Sequence, residues 1–150
     1  MQTECKIYGQ IIKLRNKPVA SDFSGFGLVI YRGDVRDLPV SPLVKMAKLE
    51  NPISEVEKII EFLFSISHYS DIRHDGYHLI HENFGLTHLA HFFSPPIPHD
   101  FIPNKFNVGA RYRSAEIGSI IPTIASIIIF GTNGNISQFQ NGIETANEAK

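Results

Sequence analysis

The chain lacks most features that mark secreted, membrane-spanning or nucleic-acid-binding proteins. Cys5 is its single cysteine, so no disulfide can form within the chain, which fits a reducing compartment. The formal net charge is −1, so no strongly basic surface favours DNA or RNA. The longest apolar run, 124–130, is far shorter than a membrane span, and the first residues have no apolar signal-peptide core. These absences predict a soluble, cytoplasmic protein with neither a nucleic-acid nor a membrane partner.

The composition that is present is ordinary for a globular domain. Hydrophobic residues make up 43% of the 150 residues and charged residues 19%. A chain of this length suffices for one domain that buries a sizeable core. We expect residues 1–25 to form an N-terminal extension packed on a main domain of residues 26–142, and residues 143–150 to form a frayed tail.

Hydrophobic patterning predicts the element order β-α-α-β-β-α-β-β. Short apolar runs bounded by turn residues indicate five strands. They are FGLVIY (26–31), YHLIH (77–81), LTHLAHFF (86–93), TIASIIIF (123–130) and ISQFQ (136–140). Two hairpins exclude a purely parallel sheet, so we predict an α/β domain with a central mixed sheet flanked by helices.

Three segments are predicted to be helical. SPLVKMAKLE (41–50) has Pro42 in its first turn, which a helix tolerates. The segment 54–66 has a capping-box pattern at Ser54, with Val56, Ile59, Ile60 and Leu63 at helical spacing. A short helix is expected at about 112–119, after the proline-rich loop 94–104.

Two arginines stand where that last helix begins, in the stretch KFNVGARYRSAEIGS (105–119). The free N–H groups make a helix N-terminus positive, so Arg111 and Arg113 are unfavourable there unless an anion binds among them. We therefore hypothesise an anion site. The alternative is that both are solvated surface arginines whose charge Glu116 partly offsets.

An ordered set of motifs resembles the diadenylate cyclase (DAC) domain family, which makes cyclic di-AMP. HDGYHLIHENFG (74–85) stands where the family has an Asp-Gly-Ala motif that opens a strand. VGARYRSAE (108–116) stands where the family has Gly-Thr-Arg-His-Arg-Ala at a helix start. A proline-containing loop lies between them, and IASIIIFGTNGNISQF (124–139) resembles the closing hairpin. The resemblance covers about three-quarters of the chain, and it implies the DAC-like α/β fold.

The resemblance also implies site residues and ligands. Asp75 would serve the metal, Mg or Mn held with the nucleotide, and the attacking hydroxyl of an active cyclase. Gly76 would allow close backbone approach, Gly109 would open the second loop, and Arg111 and Arg113 would hold phosphates. The expected partners are an adenine nucleotide or cyclic dinucleotide, with a homodimer or an adjacent or fused effector.

Several residues depart from the family pattern. Tyr77 replaces a small alanine beside Asp75, Tyr112 replaces a histidine and Ala110 a threonine. FGTN (130–133) has no acidic residue where many cyclases carry Ser-Glu-Glu. These changes favour a DAC-like nucleotide sensor with weak or no cyclase activity, with Tyr77 and Tyr112 among the ligand-binding residues. An active cyclase, and an interaction module without a working pocket, remain as alternatives.

Each assignment has a structural alternative. Asp75-Gly76 alone is typical of a turn, Gly109 could supply a positive φ, and Tyr77 could pack in the sheet rather than stack on a base.

All seven histidines lie between residues 68 and 99, which raises a metal site as a further hypothesis. Against it, His88 and His91 are three apart on a predicted strand and should face opposite sides; the same holds for His78 and His81. The alternative is that the histidines are solvated or hydrogen-bonded residues of strands, with His81 and His88 as cross-strand neighbours.

Overall fold

The computed structural model describes residues 2–150, so the first residue of the predicted 1–25 extension lies outside it. Within that range eight strands form one mixed sheet in the order β2-β5-β4-β1-β6-β7-β8, with β3 also paired to β5. The strands are Phe26–Tyr31 (β1), Val40–Pro42 (β2), Lys48–Ile53 (β3), Tyr77–His81 (β4), Gly85–Phe93 (β5), Ile124–Phe130 (β6), Ile136–Gln140 (β7) and Ile143–Glu148 (β8). The prediction of an α/β domain with a central mixed sheet is confirmed.

Helices cover both faces of this sheet. They are Thr3–Leu14 (α1), Val56–Ile66 (α2) and Ala110–Gly118 (α3), with a short 3₁₀ helix at Val35–Asp37. On one face α1 and α2 pack against each other and bury Ile7, Ile11, Ile60 and Leu63 completely. On the other face α3 packs against β6 and β7, above a second apolar cluster.

One parallel strand pair sets the geometry of the sheet centre. β1 and β4 run in parallel, with Gly27 opposite Tyr77 and Tyr31 opposite His81, and α2 lies in the connection between them. The remaining neighbours are antiparallel. The start of β4 and the start of β1 therefore lie at the same end of the sheet, while Arg32 follows β1 at the opposite end.

The predicted helix at 41–50 is wrong. That segment forms β2, a turn and the start of β3, all along the free edge of β5. Leu43 N–H donates to the Ala90 carbonyl and Leu89 N–H to the Ala47 carbonyl, both at 2.8 Å. Met46 has φ of 58°, a left-handed conformation that no α-helix contains. Backbone pairing with an unfilled sheet edge overrode the local helix preference.

A bulge in β5 makes the prediction for His88 and His91 wrong. Tyr77 lies opposite His91 and Leu79 opposite His88, so three steps on β5 match two on β4, and Ala90 has φ of 49°. The extra residue puts His88 and His91 side by side, with ring centres 5.2 Å apart, rather than on opposite faces. His81 is paired with Gly85, so the predicted His81–His88 pairing is also wrong.

Helix boundaries and the C-terminal segment differ from the predictions in smaller ways. α2 begins at Val56 after the N-cap Glu55, without a side-chain cap, so the predicted capping box at Ser54 is absent. α3 begins at Ala110, two residues earlier than predicted. The predicted frayed tail instead contains β8, which pairs with β7 over Ile143–Glu148. Among residues 2–150 no helix combines the length and apolarity needed to cross a membrane.

Candidate functional site

The N-terminus of α3 is open on its polar side. Gly109 is the N-cap, with extended backbone at φ −72°, and no side chain caps the helix. No acidic residue lies in the first turn either. Gly109 therefore contributes no positive φ, and neither a capping side chain nor an acidic residue of the first turn offsets the partial positive charge of the first N–H groups of α3.

A cleft of about 280 Å³ lies between this helix end and the start of β4. Five of the residues singled out from the sequence line it: Asp75, Gly76, Tyr77, Ala110 and Arg111. The structure thus brings together two motifs that are far apart in the chain. Four further lining residues had no signal in the sequence that would have found them: Leu43, Phe92, Phe93 and Ser114.

Tyr77 fills the inner wall of this cleft. Its side chain is buried, and its hydroxyl donates to the Arg111 carbonyl at 2.6 Å and lies 2.9 Å from Ser114 Oγ. Its ring packs edge-on against Phe93 and lies over Gly27, where an added Cβ would come within 2.7 Å of the ring. Burial raises the pKa of Tyr77 to about 12, so the phenol stays protonated at neutral pH.

Gly76 is the position at which the close approach requires glycine. Its φ is 72°, and an added Cβ would lie 2.3 Å from the His91 carbonyl oxygen. Any side chain there would push β4 away from β5. Gly76 therefore allows β4 to lie close to β5 at the edge of the cleft.

The two arginines of the motif have different environments. Arg113 donates to Glu116 Oε1 at 2.6 Å and to the Lys105 carbonyl at 2.5 Å, and it lies outside the cleft. Arg111 lines the cleft, and among residues 2–150 no carboxylate forms an ion pair with it. Its side chain passes beside Gly27, with Cδ 3.3 Å from the Cβ position there.

Tyr112 also points away from the cleft. Its ring packs edge-on against Phe139, and its hydroxyl donates to the Glu144 carboxylate on β8. Lys105 Nζ lies 4.9 Å from the centre of the same ring and also 3.7 Å from Glu144 Oε2. Burial, followed by the bond to Glu144, raises the pKa of Tyr112 to about 12. The structure thus places Tyr112 and Arg113 in contacts that hold α3 against its neighbours.

Asp75 is the acidic residue of the cleft. It is exposed, and its Oδ1 accepts a hydrogen bond from Gly76 N–H at 2.8 Å. In residues 2–150 no group of three or more His, Cys, Asp or Glu side chains is arranged to hold a metal. A single carboxylate fits a Mg²⁺ or Mn²⁺ ion that arrives with nucleotide phosphates rather than one held by the protein alone.

Comparison with known proteins identifies the fold. No family model matches the sequence, and no curated protein does. A protein from Bacillus cereus described as a hypothetical membrane-spanning protein superposes with a TM-score of 0.67 at 19% identity. That match covers 99% of this chain but 64% of the other, so the chain spans less than two thirds of that protein. A double mutant of DacA from Staphylococcus aureus superposes at 0.62 with 17% identity, covering 98% of this chain and 88% of the other. The chain therefore has a DAC-like fold.

Proposed function

We propose that the protein is a DAC-like sensor that binds an adenine nucleotide or a cyclic dinucleotide in the cleft between β4 and α3, with weak or no cyclase activity. The observation that carries the proposal is the position of Arg111. Arg111 lines an open cleft at an uncapped helix N-terminus, and no carboxylate in residues 2–150 forms an ion pair with it. The likeness to DacA, a diadenylate cyclase, supports the choice of ligand class.

A phosphate group would offset this local excess of positive charge. A guanidinium offers two parallel N–H donors that match phosphate oxygens. The first N–H groups of α3 point outward along the helix axis at the same helix end, so they also favour an anion there. Arg111 is therefore the residue we assign to phosphate. Arg113 already donates to Glu116 and to a backbone carbonyl, so we assign it to holding the loop before α3 in place.

Tyr77 supports binding over catalysis. Its side chain lines the same cleft as Asp75, and that cleft, about 280 Å³, lies just below the roughly 300–1,000 Å³ range of small-molecule pockets. An error of about 1 Å in the placement of reacting groups can lower a rate on the order of a hundredfold. A nucleotide that binds beside this ring is thus poorly placed for phosphoryl transfer. Asp75 would contribute the carboxylate to any Mg²⁺ or Mn²⁺ that accompanies the phosphates, and the metal would neutralise their charge.

Calorimetric titration of the purified chain with ATP and with cyclic di-AMP, in the presence of Mn²⁺, tests the proposal. At least one of them should bind and raise the melting temperature. Arg111→Ala should weaken that binding roughly ten- to hundredfold, because a charge-assisted phosphate contact contributes on the order of 1.5–3 kcal/mol. Arg32→Ala is the matched control: Arg32 lies at the other end of β1, so affinity should not change. Equal affinity in the Arg111→Ala and Arg32→Ala proteins would refute the phosphate role.

The two alternatives predict other results in the same experiment. Asp75 and Arg111 share one cleft, which favours an active cyclase as the second candidate. Robust synthesis of cyclic di-AMP from ATP, lost in Asp75→Asn, would establish that candidate and overturn the sensor. An interaction module would bind neither nucleotide.

A further inference from the structure

A second open cavity adjoins the Arg111 cleft at Leu43 but has different side chains on its walls. It measures about 630 Å³ and lies under the turn that joins β2 to β3. Lys45, Met46 and Lys48 of that turn and strand line one side, and His88 and His91 of β5 line the other. The nucleotide proposal uses neither histidine.

Hydrogen bonds fix the proton of His91 and allow the same arrangement in His88. His91 Nδ1 lies 2.9 Å from the Leu89 carbonyl, which can only accept, so Nδ1 is protonated and Nε2 has a free lone pair. His88 Nδ1 lies 2.8 Å from Thr87 Oγ1, and that hydroxyl also lies 2.8 Å from the Tyr31 hydroxyl and 3.3 Å from the Leu79 carbonyl. When Thr87 donates to Leu79, His88 donates from Nδ1 and keeps a lone pair on Nε2, and a metal at Nε2 would select this arrangement.

Both lone pairs reach the cavity. The two side chains are almost fully buried, at 8% and 5% exposure. Even so, neither Nε2 is among the buried side-chain atoms without a partner, whereas Nε2 of His78 is. The small exposed part of each ring thus includes Nε2. Burial, then neighbouring His91 and Lys48, lowers the pKa of His88 to about 4, and burial lowers that of His91, so both rings are neutral at pH 7.

We propose that the Nε2 atoms of His88 and His91 bind one divalent transition-metal ion, with water or an anion completing its coordination. Metal-binding histidines usually donate their other ring N–H to a carbonyl or a similar acceptor. His91 donates in this way to the Leu89 carbonyl, and Thr87 Oγ1 lies within reach of His88 Nδ1 for the same role. A metal held by both Nε2 atoms at a tetrahedral angle and about 2.0–2.1 Å places the ring centres about 5 Å apart, and they are 5.2 Å apart.

The ligand type narrows the choice of ion. Neutral imidazoles suit Zn²⁺, Ni²⁺ and Cu²⁺ rather than Mg²⁺ or Ca²⁺, which prefer oxygen. Lys45 and Lys48 repel a bare cation and attract an anionic ligand that shares it. We therefore expect a modest affinity that rises when Lys48 is replaced by an uncharged residue. The proposal does not depend on nucleotide binding at the other cleft.

Calorimetric titration of the untagged chain with ZnCl₂, NiCl₂ and CuCl₂ tests the site, in a Cys5→Ser background because Cys5 is an exposed thiol. One ion should bind per chain. His88→Gln and His91→Gln should each weaken binding by about tenfold or more, since losing even an outer-shell partner costs on the order of ten- to a hundredfold. Lys48→Met should tighten it. His99→Gln, which removes an exposed histidine of the 94–104 loop, is the matched control and should change nothing.

A second measurement needs no substitution at the site, so it stands even where a buried histidine variant fails to fold. Zn²⁺ added to the ¹⁵N-labelled parent should shift the Nε2 resonances of two imidazoles whose Nδ1 carries the proton. Shifts confined to the exposed histidines, binding that disappears in Cys5→Ser, or no saturable binding of any of the three ions would each overturn the proposal.

Discussion

The two sides of α3 use the same residue types differently. On the side of the 94–109 loop, Arg113 is paired with Glu116, whose other oxygen accepts from Asn104 N–H at 3.0 Å. On the cleft side, Arg111 lines open space without a carboxylate partner in residues 2–150. The two arginines are separated by one residue and carry the same charge. The difference between them is whether the fold itself supplies the compensating anion.

This contrast separates a charge that is paired within the fold from one that is not. A buried ion pair costs desolvation, so it persists where both partners are fully hydrogen-bonded and hold elements together. Glu116 is 1% exposed and connects α3 to the loop before it. The side chain of Arg111 forms no ion pair in residues 2–150, and it lies where the helix end already carries a partial positive charge. An anionic ligand would compensate this charge, which is the role that we propose for the cleft.

The largest effect should come from breaking the Glu116 side. Glu116→Ala leaves Arg113 without its partner and Asn104 N–H without its acceptor, so we expect a loss of about 3 kcal/mol in the free energy of unfolding. Chemical denaturation measures it. Glu61→Ala on α2 is the control, because that side chain is exposed, and it should change stability by less than about 0.5 kcal/mol. An equally small change in Glu116→Ala would mean that the ion pair contributes nothing.

An intermediate effect is expected at Tyr77, the phenol that joins β4 to α3. Tyr77→Phe removes the bonds to the Arg111 carbonyl and Ser114, which should cost about 1 kcal/mol at pH 7. The pKa of Tyr77 is raised from 10 to about 12, so between these pH values the unfolded chain releases a proton that the folded chain keeps. Stability therefore falls as pH rises through this window, by up to about 1.4 kcal/mol per pH unit from this group.

Denaturation measured from pH 9 to 12 tests this slope. In Tyr77→Phe the free energy of unfolding should decrease less steeply with pH, by up to about 1.4 kcal/mol per pH unit. Tyr69→Phe, which alters an exposed tyrosine, should leave the slope unchanged. Tyr112 and the other tyrosines with raised pKa values account for the fall that remains. Identical slopes in the parent and Tyr77→Phe would mean that the phenol ionises normally in the folded state.

The smallest effect is expected at Arg111. Arg111→Ala should change the free energy of unfolding by less than about 0.5 kcal/mol, because the lost packing is offset by relief of repulsion at the helix N-terminus. Thermal unfolding without ligand measures it. A loss well above 1 kcal/mol would show that Arg111 is structural, like Arg113, and would remove the contrast between the two sides.

Local patterns in the sequence were sufficient for the strongly periodic elements. The apolar runs of β1, β4, β5 and β6 and the helical spacing of Ile59, Ile60 and Leu63 each have one way to bury their side chains, so these elements were predicted correctly. The resemblance to the DAC family implied that Asp75 and Arg111 belong to one site, and both line the cleft. Segment 41–50 was mispredicted because its partner, the open edge of β5, cannot be seen in a local pattern.

By itself, then, the sequence determined the α/β class and the central strands, and it indicated the candidate residues of the proposed phosphate site, because hydrophobic periodicity and charge type are local properties. Only the tertiary structure decided which arginine is free, because the partners of Arg113 come from the next turn of α3 and from the preceding loop. It also decided that His88 and His91 face one cavity. β5 has two extra residues relative to β4, and the one between His88 and His91, with Ala90 in the left-handed region, reverses the alternation of side chains at that point. Strand pairing rather than local sequence determines where such a bulge forms.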